Sequence, residues 1–185
     1  MAYTGQQRFL LRDAEKYSSL GYKVGYCKGK EYLGEYQPPS LGWSGISWAP
    51  AQNEAPDDFD GISLIPERIV CIDFDSIDFD VGGESLPPTL KERTPRGWHL
   101  FYRLPLVHMC QPRIKWKPHV DLLVKPNRPP KKASRYGGIK DDGSVWGEHV
   151  LISPTSGYTR IWPEEVPKVL DLPEAPLWLL DVLGR

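Results

Sequence analysis

The chain has 185 residues, 40% of them hydrophobic and 11% aromatic, with a formal net charge of −1. That length suits one domain with a real core, the composition excludes a disordered chain, and the balanced charge excludes a protein that coats nucleic acid by global charge alone. No apolar run approaches the roughly 20 residues that cross a bilayer, and the N-terminus lacks a basic stretch followed by an apolar one, so a cytoplasmic location without membrane contact is expected. Cys27, Cys71 and Cys110 are odd in number and show no CxxC spacing. They point to buried reduced thiols rather than a disulfide framework or a closed zinc site.

In chain order, residues 6–20 carry Phe9, Leu10, Ala14, Tyr17 and Leu20 near helical spacing, followed by Gly21, which predicts an amphipathic helix. YKVGY then reads as a short strand. Residues 28–56 are rich in Gly, Pro and Tyr, contain Trp43 and Trp48, and show neither period; they read as a long ordered loop with packed aromatics. ISLI at 62–65 and residues 68–75 read as two strands joined at Pro66 and Glu67, an arrangement that suits a hairpin. Past a Pro-rich piece at 81–88, Trp98, Leu100 and Tyr102 alternate with His99, Phe101 and Arg103 in a strand pattern. Further strands are expected at 119–124, 148–152 and 158–162, and APLWLLDVLG at 175–184 reads as a closing helix. The sum is a single α+β domain over residues 1–185 with no good place to divide it.

The most informative stretch is RIVCIDFDSIDFD at 68–80, an apolar strand ending in carboxylates two residues apart. Alternation on a strand puts Asp73 and Asp75 on one face and turns Phe74 to the other. Two carboxylates on one rigid element are hard ligands that suit Mg²⁺ or Mn²⁺; solvated strand-end acids are the ordinary alternative. Asp78 and Asp80 repeat the pattern but lead into Gly82 and Gly83, which marks them as loop residues. Residues 113–140 hold Arg113, Lys115, Lys117, Lys125, Arg128, Lys131, Lys132, Arg135 and Lys140 against the single acid Asp121. Such a tract either follows a phosphate backbone or is a solvated loop.

IDFD at 72–75, RTPRGWHLFYR at 93–103 and HVDLLV at 119–124 occur in an order that resembles the archaeo-eukaryotic primase superfamily, specifically the prim-pol (bifunctional DNA primase/polymerase) domain of phages and plasmids. GEHVLISPTSGYTRIW at 147–162 is similar to the tail of that group, and the resemblance extends over most of the chain. It implies a mostly antiparallel sheet with an open catalytic face and helices packed behind. It further implies Asp73, Asp75 and Asp121 as catalytic ligands of two Mg²⁺ or Mn²⁺ ions, and His99 at the phosphates of a nucleotide. The Gly97 turn would leave backbone donors free for the same anion, with Arg96 and Arg103 as further phosphate ligands. The family often has Ser where Gly97 stands, and residues 125–146 are longer than its pattern. Lys115, Lys117, Lys131, Lys132 and Arg135 would bind nucleic acid. His108, Cys110 and His119 have irregular spacing and no evident fourth ligand, so zinc is not expected.

The function implied is template-directed nucleotidyl transfer, making primers and extending them on single-stranded DNA by a two-metal-ion mechanism. Its partners would be the template, nucleoside triphosphates and a replicative helicase in cis or in trans, with the chain a monomer that is complete or the N-terminal part of a larger replication protein. Two alternatives remain: a catalytically silent nucleic-acid-binding replication module, and an Asp-x-Asp nucleotide-sugar transferase, which calls for a longer chain with a parallel nucleotide-binding half.

Overall fold

The computed structural model describes residues 3–29, 31–32, 55, 57–78, 81–105, 113–124, 138–139, 145–146 and 149–184. Helix α1, Gly5–Ser19, starts on a capping box: the Gln7 amide donates to Thr4 Oγ1 at 3.2 Å and the Thr4 amide donates to Gln7 Oε1 at 3.0 Å. Leu10, Ala14 and Tyr17, spaced by four and three residues, form its buried stripe, and Gly21 at φ 90° turns the chain away just past its end. The helix expected at 6–20 is thus present, shifted by one residue.

Among the described residues the strands are β1 (Lys23–Lys28), β2 (Glu31–Tyr32), β3 (Gly61–Ile65), β4 (Ile69–Phe74), β5 (Leu90–Arg93), β6 (Trp98–Arg103), β7 (Arg113–Lys117), β8 (Val120–Leu123), β9 (Gly138–Ile139), β10 (Val145–Trp146), β11 (Val150–Leu151) and β12 (Thr159–Trp162). A 3₁₀ turn at Val169–Asp171 precedes the closing helix α2, Leu177–Gly184. The strands form a four-stranded sheet in the order β11-β3-β1-β2, a six-stranded sheet in the order β12-β5-β6-β4-β8-β7, and the small pair β9-β10. Every pairing within these sheets is antiparallel. The fold is α+β, as expected.

The hairpin expected from β3 and β4 does not form. β3 uses one edge for β1 and the other for β11, while β4 uses its two edges for β6 and β8, so neither has an edge left for the other. The chain crosses between the sheets at Pro66, which has no N–H to add to a ladder, and the Glu67 amide closes back onto the Ile65 carbonyl at 2.8 Å. β5 is a strand that the alternation of apolar residues does not announce, and β7, where Ile114 and Trp116 alternate with Arg113, Lys115 and Lys117, is not among the strands expected from the sequence. The expected loop at 28–56 contains β2; Trp43, Trp48 and most of the rest lie outside the described residues.

Two cores flank the six-stranded sheet. On one face Ile69, Cys71, Leu90 and Phe101 join α1 and the four-stranded sheet through Leu10, Tyr17, Val24, Ile62 and Leu64. On the other, Val70, Ile72, Phe74, Leu100, Tyr102 and Leu122 pack against Leu179, Leu180 and Leu183 of α2. Trp178 of α2 stacks on Trp116 of β7, with ring centroids 5.5 Å apart. Cys27 and Cys71 are buried free thiols, and burial, with the charge of Asp60 nearby, pushes Cys27 up to about 12. Among the described residues no helix is long and apolar enough to cross a membrane.

Leu179 and Leu177 lie on the same helix, fully buried and 85% exposed respectively. Leu179→Ala is expected to lower unfolding free energy by about 2–5 kcal/mol in chemical denaturation, and Leu177→Ala to stay within about 0.5 kcal/mol. Equal losses would mean that α2 does not close the second core.

Candidate functional site

Antiparallel register aligns the six-stranded sheet into cross-strand rows. Leu90 of β5 stands opposite Phe101 of β6, which stands opposite Cys71 of β4, which stands opposite Leu123 of β8. Two residues along, on the same face, the matching row reads Glu92, His99, Asp73 and Asp121. Four adjacent strands therefore change from apolar to ionisable at one level of the sheet. Arg160 of β12 stands opposite Glu92 and extends the row to the edge strand. Asp73, His99 and Asp121, separated by up to 48 positions in the chain, come onto neighbouring strands with Cβ atoms about 5 Å apart for each directly opposed pair.

Asp75 follows on the Asp73 face just beyond the end of β4, and its amide continues the ladder by donating to the His119 carbonyl at 2.8 Å. Phe74 between them is fully buried in the opposite core, as the alternation requires. Arg96 aims a guanidinium nitrogen at Asp75 Oδ1, 2.8 Å away, from a position 65% exposed. Gly97 has a different role from the one expected of it. Its amide is not free for an anion, because it donates to Thr94 Oγ1 at 2.9 Å, while its carbonyl accepts from the Thr94 amide. A Cβ at Gly97 would stand 1.9 Å from the Phe74 carbonyl oxygen and 2.8 Å from the Ser76 amide. The absence of a side chain is what lets this turn close onto the end of the acidic strand.

His99 is buried, with Nε2 3.4 Å from Asp73 Oδ1. Its ring meets Phe101 edge-on and Tyr158 at a tilt, with centroids 5.9 and 5.7 Å away. Glu92 is the residue the sequence reading missed. It is fully buried, and its Oε1 accepts from the Tyr17 hydroxyl at 3.3 Å and the Ser153 amide at 3.2 Å. Burial pushes its carboxyl up to about 7, against the opposing effects of His99, the Ser153 amide, the Tyr17 hydroxyl and Arg160. The available signal was parity: in TLKERT, Leu90, Glu92 and Thr94 share one face.

Asp121 is half-buried between the apolar Val120 and Leu122, with Oδ1 accepting from the Lys115 amide. Burial raises its affinity for a proton, the Lys115 hydrogen bond opposes this, and the charges of Asp73 and Asp75 raise it further. Lys115 is exposed at φ 52°. Lys117 is committed locally: its ammonium donates to the Val81 carbonyl at 2.8 Å and lies over the Trp116 ring. Arg103 shares the parity of His99, but four residues further along β6 it bonds Glu174 at 3.2 Å and does not join Asp73. Lys131, Lys132, Arg135, His108 and Cys110 lie outside the described residues, and His119 is an exposed turn residue at φ 62°.

Among the described residues no three His, Cys, Asp or Glu side chains converge on a common point as an ion requires. The side chains explain why: Asp75 is held by Arg96 and Asp121 by the Lys115 amide. The donor set itself fits a hard divalent cation, being three carboxylates on adjoining strands whose mutual repulsion registers at Asp121. A pocket of about 400 Å³, walled by Leu86, Leu100, Tyr102 and Trp162 among others, lies toward the opposite face and includes none of the row, in which Glu92 and His99 are buried while Asp73 and Asp75 are partly exposed. Among family models, curated proteins and solved structures, none matches the chain.

Gly97→Ala should cost about 1–3 kcal/mol in thermal or chemical unfolding, because the added carbon must displace backbone rather than a flexible side chain; a variant of wild-type stability would refute the close approach. Glu92 provides a test by pH. The unfolded carboxyl releases its proton near its ordinary value of 4.5, and the folded one holds it to about 7. Between those values the unfolded chain binds fewer protons, so stability falls as pH rises, by at most about 1.4 kcal/mol per unit, and levels off above the folded value. Glu92→Gln is expected to flatten that decline in denaturation at pH 5 and pH 8. An unaltered decline would place its origin elsewhere.

Proposed function

We propose that the chain is a template-directed nucleotidyltransferase that starts and extends primers on single-stranded DNA. The observation that carries this reading is the registered row of His99, Asp73 and Asp121 with Asp75 beyond it, an anion-rich surface flanked by an imidazole and a guanidinium. Asp73, Asp75 and Asp121 are the residues that would hold Mg²⁺ or Mn²⁺, which when bound neutralises triphosphate charge and favours attack by a 3′-hydroxyl. Arg96, 65% exposed and with its guanidinium paired to Asp75, could exchange that carboxylate for a phosphate oxygen. His99, fixed in the sheet, offers Nε2 at the same end of the row. A template strand would meet the row at its more exposed end, where Asp75 and Arg96 stand, with the basic tract at 113–140 as the further contribution to binding. A helicase in cis or in trans completes the proposed set of partners.

The all-antiparallel pairing supports this reading over a nucleotide-sugar transferase, which would call for a parallel nucleotide-binding half. The silent-module alternative differs in its predicted products. Labelled nucleotide incorporation on single-stranded DNA with Mg²⁺ or Mn²⁺ should yield product without a primer. Asp73→Ala or Asp75→Ala should reduce it by about a hundredfold or more while the unfolding midpoint holds, since each removes a ligand rather than a core contact. Product only with primer would restrict the activity to extension. No product from a folded, DNA-binding chain would select the silent module.

A further inference from the structure

Glu92 and His99 face each other across β5 and β6 at directly opposed positions, 0% and 4% exposed. Each buries one polar atom without a hydrogen bond among the described residues, to the other or to any further group: Glu92 Oε2 and His99 Nδ1. The other half of each group is already committed. Glu92 Oε1 is anchored by Tyr17 and Ser153, which fixes the carboxyl from the α1 side and from the segment after β11. His99 Nε2 points to Asp73. Buried polar groups on neighbouring strands are costly to leave unpaired, and each is the available complement of the other.

We infer that Glu92 is the positioning residue for His99, holding Nδ1 from the buried side by a hydrogen bond so that Nε2 keeps its orientation toward Asp73. The functional part of this inference rests on the reading of His99 as a phosphate-side group. Without such a contact the ring is free to turn over about its own axis, exchanging Nδ1 with a carbon and taking Nε2 out of line; a partner on the second nitrogen is the usual device that prevents this. The surrounding contacts do not supply that device, since Phe101 and Tyr158 meet the ring through aromatic surfaces. Leucine at position 92 would continue the apolar parity of Leu90, so shape alone gives no reason for an acid there.

The test uses the full chain with ring-¹⁵N histidine, the His99 signals being assigned among the four histidines with a His99→Asn variant. Spectra of wild type, Glu92→Gln and Glu92→Leu are recorded beside their unfolding curves, and binding of a non-hydrolysable deoxynucleoside triphosphate with Mg²⁺ is measured by calorimetry. The expected result is a His99 Nδ1 resonance that shifts in folded Glu92→Leu, with triphosphate affinity about tenfold weaker and largely recovered in Glu92→Gln, whose amide can still bond the ring. Superimposable His99 resonances in wild type and folded Glu92→Leu would overturn the inference. So would equal triphosphate affinity of those two proteins where the wild type binds. If the Nδ1 resonance responds but the wild type binds no triphosphate, the positioning contact stands and the nucleotidyltransferase reading falls. If Glu92→Leu does not fold, Glu92→Ala, which also removes the contact, takes its place: a His99 Nδ1 resonance unmoved from wild type would overturn the contact, and a displaced one would support it.

Discussion

Strand register across the six-stranded sheet is the constraint on which the rest depends. A slip of one residue between β4 and either neighbour would send Asp73 to the opposite face from His99 or Asp121 and bury a carboxylate against α2. The register is held by the apolar rows beneath: Cys71 between Phe101 and Leu123 on one face, Ile72 between Leu100 and Leu122 on the other. Gly97 adds a local lock, because its turn closes against the Phe74 carbonyl at the end of the ladder. Core packing and site geometry are therefore one problem, and a substitution several residues from the carboxylates can displace them.

The same row carries the least favourable electrostatics in the described structure. Glu92 is a fully buried acid, and only hydrogen bonds from Tyr17 and Ser153 together with the charges of His99 and Arg160 counter the cost of its ionisation. Asp121 is pressed by two neighbouring acids. Proteins retain such groups at functional sites more often than in ordinary cores, and here Glu92 and Asp121 share one level of one face with His99 and Asp73.

Much of this was legible in the sequence, for identifiable reasons. β4 ends a dense apolar run, so Asp73, Phe74 and Asp75 could be assigned to faces by alternation alone, and the 98–103 segment carried the same signal. β5 escaped notice because Lys91, Glu92 and Arg93 hide its single leucine; its strand character comes from β6 and β12 on either side. β7 does carry a period-2 signal in Ile114 and Trp116, masked by the basic residues between them, but its irregular register with β8 and the left-handed residue at Lys115 are not foretold by periodicity. The hairpin expectation failed because pairing is a competition among all strands, and local sequence shows only the nearest competitor. Parity put Arg103 with His99 correctly but said nothing about distance along the strand, which is what separates them.

The fate of the basic residues limits what charge counting can say about partners. Lys117 stands in the tract that the sequence leaves open between a nucleic-acid contact and a solvated loop, yet its ammonium bonds a carbonyl in the loop after β4 and lies over the Trp116 ring. Arg96, outside that tract, is the cation that meets the acidic row. An exposed guanidinium paired to one carboxylate gains little from that pair in water and loses little by leaving it. The carboxylates would gain more from a divalent ion, because the repulsion of Asp121 by Asp73 and by Asp75 would be relieved together. On the function proposed above, that balance would favour exchange, with Arg96 passing from Asp75 to an incoming phosphate as cations take its place, and this would account for an arginine at a turn whose backbone is otherwise closed on itself.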